Sequence, residues 1–379
     1  MDIKKYIREN YLEMSDSDIA KKLGKTAESV RGQRRMMGLN KVQGHQAPPN
    51  KDALVVFKER KEATSDKSQL KKAHERIIAL EDERESLFRI KKTPQTFHMK
   101  QKKSGDSEAV AVMIASDWHV EEEVLPATVN GMNEYSLAIA KTRAENFFVN
   151  GVRLIKVFQK DTKIDRLILA LLGDFITNSL RDENLENNQM QPGDALWYAK
   201  TLLVSGIKYI LANTDVKLTI PCHTGNHGRM TDKVHWSTES GNSLERYMYR
   251  DLAEYFENEP RVEFLIAEGL MSYVDVYGKT LRFTHGHTIK FGGGVGGVTI
   301  PVRKAIAQWN KVKRADITIM GHFHQTFDGG DFMVNGSLIG WNTFGIAIKA
   351  DYEPPQQTFF IIHNHAGGSK TGVCPIWLD

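Results

Sequence analysis

Cysteine is almost missing from this chain. Two residues in 379, Cys222 and Cys374, cannot build a disulfide framework, so the fold must rest on its own core and a reducing, cytoplasmic setting is the simpler reading. Long hydrophobic runs are missing too. No stretch approaches the roughly 18 apolar residues of a membrane span, and Met1-Asp2-Ile3-Lys4-Lys5 opens no secretory signal. A membrane partner is therefore not expected. Internal repeats are absent as well, which sets aside solenoids and propellers.

What is present is an apolar content of 41%, enough for a sizeable core, in a chain longer than a typical single domain. Net charge is only +4, but it is unevenly spread. Residues 1–105 hold 25 Lys+Arg against 15 Asp+Glu, and the remainder holds 26 against 32. A basic leader on an acidic body suits a polyanionic partner for the leader.

Residues 1–44 read as a small all-α module. Ile3 to Leu12 has helical spacing, with Ile3, Tyr6, Ile7 and Tyr11 on one side. Ser15 or Asp16 caps a second helix, Ser17 to Leu23, which Gly24 stops; Thr26 caps a third, Ala27 to Met37, closed by Gly38. Ile19, Leu23, Val30, Met37 and Leu39 supply its small core. Short helices joined by a glycine turn are the helix-turn-helix signature. The third helix carries Arg31, Gln33, Arg34 and Arg35, residue types suited to phosphates and base edges. The stretch from Ser15 to Leu39 resembles Myb-like or helix-turn-helix modules, which implies DNA as a partner; a helical hairpin for protein contacts is the alternative.

Residues 45–107 read as a linker. Within it, 66–90 is rich in helix formers, and Leu70, Ala73, Ile77, Leu80 and Leu87 fall near a and d spacing, interrupted by Arg84. That helix offers either a homodimer contact or a solvated spacer. Thr93 to Asp106 is basic and irregular. From 108 to 379 strands alternate with helices. The helices fall at Tyr135–Gln159, Ala195–Ala212, Gly241–Asn258 and Val302–Lys311. Later strands fall at Val262–Ile266, Met271–Tyr277, Thr280–Thr284, Phe332–Asn335 and Thr358–Ile362. A layered α/β sandwich is expected. The glycine-rich run from Phe291 to Gly297 lacks the Walker lysine and reads as a loop rimming a site.

The chemistry is concentrated at strand ends. The apolar run Leu167 to Leu172 stops at Gly173-Asp174. Ala111 to Ser116 ends in Asp117-Trp118-His119, Lys217 to Pro221 leads to Gly225-Asn226-His227, Thr280 to Thr284 ends in His285-Gly286-His287, and Asp316 to Met320 ends in Gly321-His322-Phe323-His324. Six of the ten histidines after residue 108 fall in these motifs. Imidazole, carboxylate and amide oxygen without thiolate suit Mn²⁺, Fe or Zn²⁺. There are more ligands than one ion needs, and two ions sharing a carboxylate explain the surplus.

Taken in order, these five motifs resemble the calcineurin-like metallophosphoesterases, in particular phage-type members, across about residues 109–365. The resemblance implies an α/β/β/α sandwich and a two-metal site, with Mn²⁺ foremost and Fe, Zn²⁺ or Ni²⁺ admissible. It assigns Asp117, His119 and His324 to one metal and Asn226, His285 and His322 to the other, with Asp174 bridging. It implies hydroxide attack on phosphorus, with His227 giving a proton to the leaving oxygen. His287 is expected to support a ligand or face substrate, Arg229 to meet a phosphate oxygen, and His223 to pack in the core or behind a ligand. If phage-encoded, the protein would act in the host cytoplasm. Two departures stand out. The acid that often follows Gly-Asn-His is replaced by Gly228, and the Asp-Arg common after Gly-Asp is replaced by Phe175-Ile176. The expectation is a phosphodiesterase acting on DNA. The rivals are a phosphomonoesterase or small phosphodiester hydrolase with a targeting leader, and a DNA-binding or assembly protein with a vestigial site.

Overall fold

The computed structural model describes residues 2–39, 69–82, 96–98, 107–290 and 297–379. The expected linker at 45–65, the ends of the 66–90 helix and the glycine-rich run at 291–296 lie outside these residues. The chain divides into two compact units, Met1–Lys91 and Lys92–Asp379.

The first unit contains helices α1 (Ile3–Asn10), α2 (Asp16–Leu23) and α3 (Ala27–Met36). Each begins where a side-chain oxygen takes a free backbone N–H: Asp2 accepts from Lys4, Ser15 from Asp18 and Thr26 from Ser29. Ile7, Ile19, Ala20 and Val30 are buried at their junction, with Leu23 and Met37 packed around them. A further helix, α4, runs over residues 69–82, and Leu70, Ile77 and Leu80 are exposed on it.

The second unit is built on two six-stranded sheets. In one, β2 (Glu108–Ala115), β3 (Lys163–Leu171), β4 (Lys217–Cys222) and β5 (Val262–Ile266) are parallel. Strands β11 (Gln356–His363) and β12 (Ser369–Trp377) extend it antiparallel, giving the order β12-β11-β2-β3-β4-β5. The other combines β1 (Thr96–His98), β6 (Ser272–Val276), β7 (Lys279–Phe283), β8 (Ile317–Met320), β9 (Phe327–Asp328) and β10 (Phe332–Val334) in the order β1-β6-β7-β8-β10-β9.

The alternation along the strands explains the layering. Val110, Val112 and Ile114 of β2 and Ile168 and Ala170 of β3 point toward the second sheet, where Val274, Leu281, Phe283, Ile317 and Ile319 meet them. Ala111, Met113, Leu167 and Leu169 point the other way, onto helices α5 (Leu137–Phe158), α7 (Pro192–Asn213) and α8 (Leu244–Tyr255). Helix α9 (Thr299–Trp309) covers the far face of the second sheet through Val302 and Ile306. Because β2 and β3 are sandwiched on both faces, their sequences are nearly continuous apolar runs. Each fully buried aliphatic there stabilises the fold by about 1.5–3 kcal/mol relative to exposure. The result is the expected α/β/β/α order.

Five of the helices and strands were not anticipated: β1, β9, β12, α6 (Asp182–Asn187) and α10 (Thr343–Ile348). Thr96–His98 is too short to show a period, yet it pairs in parallel with β6 inside the stretch read as irregular. Strand β12 contains Gly372 and Pro375, which argue against a strand from sequence, but it lies at the sheet edge, where a missing N–H is tolerated. Cys222 and Cys374 are free. Among the described residues no helix is long and apolar enough to cross a membrane.

Candidate metal centre

The carboxyl ends of β2, β3 and β4 in one sheet and of β7 and β8 in the other bring their motifs together. Five of the residues concerned turn sharply out of their strands with positive φ: Asp117 at 56°, His119 at 47°, Asp174 at 54°, His322 at 72° and His324 at 54°. Such conformations are costly away from glycine, and their clustering at one place marks a site whose surroundings hold the backbone in shape. The Gly-Asp and Gly-Asn-His loops touch backbone to backbone. A Cβ on Gly173 would lie 2.2 Å from the Gly225 nitrogen, and one on Gly225 would lie 2.0 Å from Asp174 Oδ1. Only glycine permits this approach.

Three groups of potential ligand atoms result, each with its atoms within 4.8 Å of one another: Asp117, His119 and His324; His119, Asp174 and His227; and Asp174, His285 and His322. Shared members make the groups continuous, and Asp174 joins the His119 side to the His285 side. Asn226 belongs to the same cluster, its Oδ1 lying 3.2 Å from His285 Nε2.

The imidazoles are aimed by their other nitrogens. His119 Nδ1 lies 2.9 Å from Thr177 Oγ1, whose hydroxyl in turn donates to Glu122 at 3.1 Å. The hydroxyl proton being committed to Glu122, His119 Nδ1 donates and its Nε2 is left buried without any hydrogen-bond partner. His285 Nδ1 lies 2.6 Å from the Leu172 carbonyl, which can only accept, so its Nε2 also faces inward, 3.0 Å from Asp174 Oδ2. This is the arrangement in which metal-binding histidines are held. Asp117 accepts from the His322 N–H at 2.9 Å and from Ser116 Oγ, which is itself fixed by Asn335 Nδ2 at 2.9 Å.

Charge is equally organised. Burial alone would raise the Asp174 carboxyl, but the neighbouring His285 and His227 imidazoles, with the His285 hydrogen bond, hold it well below the usual carboxylate range. His285 is opposed by burial and yet pushed up to about 10 by Asp174. His119 and His322 are held well below the usual imidazole value, chiefly by burial and then by neighbouring histidines. His119 and His322 are thus in the neutral state that ligation requires, beside an ionised carboxylate, whereas His285 holds a proton against Asp174 that a cation taking its place would displace.

The remaining sequence candidates are placed as follows. His227 donates its backbone N–H to Asp174 Oδ1 at 2.8 Å, and its Nδ1 lies 3.0 Å from the Thr177 carbonyl, which orients the ring. His287 is outside the ligand groups; its Nε2 lies 2.7 Å from Glu239 Oε1, and its ring stacks on Trp236 at 5.8 Å. Arg229 does not reach outward. Its guanidinium caps the carbonyls of Asn226, Thr231 and Asp232 and so braces its own loop. His223 is buried with Nε2 2.8 Å from Ser272 Oγ, and burial lowers it to about 3. In the first unit Arg34 is likewise committed internally, to Asp16 at 3.1 Å and to the Leu39 carbonyl. Arg31 is about half exposed, 3.6 Å from Asp16, and Arg35 is exposed. Gln33 is partly buried with Oε1 unpartnered.

Sequence reasoning missed Thr177, which holds both His119 and His227. It also missed Glu121, whose Oε1 accepts from the Thr177 and Asn178 N–H groups, and Glu245. Burial raises Glu121 to about 7, and burial together with Asp174 raises Glu245 to about 8. No motif announced them, although Thr177 stands only three residues past Asp174.

No family model matches the sequence, and no curated protein does. Among solved structures the chain is similar to a Vps29 point variant from Entamoeba histolytica. Identity is 12%, the match covers 70% of this chain and 98% of that one, and the TM-score is 0.29. It is also similar to a dimetal phosphatase from Danio rerio, at 9% identity over 71% of this chain and 99% of that one, with TM-score 0.32. A third is a 5'-nucleotidase from Staphylococcus aureus, described there as a provisional assignment, at 11% identity over 72% and 55%, with TM-score 0.31. Superposition at this level carries no functional weight, and the site's own geometry does.

Proposed function

We propose that the protein is a metal-dependent phosphodiesterase that acts on DNA. The observation that carries this is the continuous set of ligand atoms with His119 Nε2 buried, oriented and unpartnered. A buried polar nitrogen without a partner is costly, and a cation would satisfy it. The donor set is imidazole and carboxylate with one amide oxygen, which fits Mn²⁺ well. On this reading Asp117, His119 and His324 would hold one ion and Asn226, His285 and His322 the other, with Asp174 the carboxylate available to both. When bound, two such ions supply Lewis-acid activation of water and of phosphoryl oxygens. Asp174 stays ionised throughout. His227, with its Nδ1–H tied to the Thr177 carbonyl, would as the imidazolium give its Nε2 proton to the leaving oxygen and remain as the neutral Nδ1–H imidazole. The exposed arginines of α3 would bring DNA to the site, and the exposed apolar positions of α4 would pair two copies.

The test is hydrolysis with Mn²⁺ titrated in. Cleavage of bis-(p-nitrophenyl) phosphate and nicking of supercoiled plasmid, with little turnover of p-nitrophenyl phosphate, is the expected result. Hydrolysis of the monoester with plasmid left intact across several metals would replace this reading with a phosphomonoesterase.

A further inference from the structure

Glu245 is fully buried beside the centre, belongs to no ligand group and takes no part in the proposed chemistry. It stands in the first turn of α8, where a carboxylate is favoured by the helix dipole. Its two oxygens are divided between two loops. Oε1 accepts from the Phe175 N–H at 2.7 Å, and Oε2 accepts from the Gly225 N–H at 2.7 Å. Phe175 directly follows Asp174, and Gly225 directly precedes Asn226.

The space Glu245 uses is the space left by Gly228. A Cβ at Gly228 would lie 2.7 Å from Glu245 Cγ and 3.0 Å from Cδ and Oε2. A side chain at position 228 and the glutamate therefore exclude one another. The two segments are also stitched together by backbone bonds, Leu244 N–H to the Gly228 carbonyl at 2.7 Å and Met230 N–H to the Asn242 carbonyl at 2.8 Å. These deliver the carboxylate to a fixed place beneath the loops. Other bonds cross between the loops further along: the His227 N–H ends on Asp174 Oδ1, an oxygen of a proposed ligand, His227 Nδ1 lies 3.0 Å from the Thr177 carbonyl, and Asn178 Nδ2 donates to the His227 and Arg229 carbonyls. Glu245 alone ties the residue just after Asp174 to the residue just before Asn226 through one carboxylate.

We propose that Glu245 is a positioning residue that clamps the Asp174 loop to the Asn226-His227 loop, supplying from α8 a carboxylate that position 228 lacks. Its consequence for metal binding rests on the two-metal reading above; the clamp itself does not. Removing the carboxylate leaves two buried N–H groups without an acceptor, and the loops must part to reach water.

The experiment follows amide hydrogen exchange and Mn²⁺ binding by calorimetry in the full-length protein and in three variants: Glu245→Gln, Glu245→Ala, and Glu245→Ala combined with Gly228→Glu. In Glu245→Ala, exchange at Phe175 and Gly225 should rise by about tenfold or more with β2, β3 and β4 unchanged, and Mn²⁺ affinity should fall by about tenfold to a hundredfold. Glu245→Gln, with one acceptor oxygen for two donors, should release one of the two amides; it serves if Glu245→Ala fails to fold. The double variant, with its carboxylate in the vacated space, should recover protection and affinity in part, which repair of general stability elsewhere would not do. Wild-type exchange at both amides in a folded Glu245→Gln or Glu245→Ala overturns the clamp. If the unmodified protein takes up no Mn²⁺ while the amides respond as expected, the metal reading fails and the clamp stands.

Discussion

In the first unit four polar residues lie on one short helix and part company; in the second, seven ligand candidates come from five strand ends and converge. The reason is geometric. Each step along a helix turns about 100°, so positions 31 and 35 share a face, 34 lies to one side and 33 lies opposite. Arg34 therefore faces Asp16 and α2, while Arg31 and Arg35 remain available. Residues just past neighbouring strands of a sandwich have no such latitude. The buried run behind each one fixes where it emerges, and the sheet spacing brings the tips within reach of one another.

The contrast is broken most directly at Asp174. Asp174→Ala should remove a contact from both sides of the centre, lowering phosphodiester hydrolysis at saturating Mn²⁺ by about a thousandfold or more, roughly 4 kcal/mol. Retention of more than a tenth of the activity would mean that convergence is not function. Next in size is Arg34→Ala. It takes from the largely buried Asp16 carboxylate its nearer cation, with Arg31 at 3.6 Å remaining, and the module should lose about 3 kcal/mol, read as faster exchange across α2 and α3 in the full chain. If exchange there is unchanged, Arg34 is no more structural than its neighbours.

His223 gives a pH signature to the second unit. Its folded value lies near 3, below its ordinary 6.5, so the neutral ring's contribution is complete above pH 6.5 and is lost as pH falls toward 3. By pH 5 the loss is about 2 kcal/mol. The stability gap between wild type and His223→Gln should close by that amount between pH 7.5 and pH 5, followed by chemical denaturation. A constant gap would remove His223 from the acid sensitivity. The smallest effect belongs to the exposed arginines. Arg31→Ala with Arg35→Ala should leave stability within about 0.5 kcal/mol while weakening DNA binding about tenfold and flattening its salt dependence by about two contacts. Unchanged affinity in a gel shift would sever α3 from DNA.

These outcomes bear on what a sequence can disclose. The long parallel strands were legible because burial on both faces leaves Ala109 to Ala115 of β2 and Leu167 to Leu171 of β3 apolar without interruption, and because Gly173 and Gly225 punctuate the loops they shape. Helices α5 and α7 were found to within a few residues for the same reason. The ligand candidates were legible as motifs. Their partners were not: Thr177 acts through a carbonyl and a hydroxyl that any loop could carry, and Glu245 arrives from a helix that begins seventeen positions after Gly228's motif neighbour His227. Arg34 was misread because composition was weighed before helical phase. Strand β12 was missed because an edge tolerates the Gly372 and Pro375 that a central strand would reject.

The seam between the two sheets has a mechanical consequence. Asp117 and His119 hang from one sheet and His324 from the other; Asp174 hangs from the first and His285 and His322 from the second. An ion held by either group is therefore a rivet through the sandwich, fastening two layers already joined across this seam by the apolar contacts of Val112, Ile168, Phe283 and Ile319 and, at the rim, by hydrogen bonds such as those from His285 to the Leu172 carbonyl and from the His322 N–H to Asp117. Its occupancy would add to the cohesion of the layers by RT ln(1 + [ion]/Kd), about 2.7 kcal/mol at a hundred times the dissociation constant. Sliding of one sheet past the other would be resisted at the rim where the chemistry sits, and a chelator would loosen the sandwich from that rim inward.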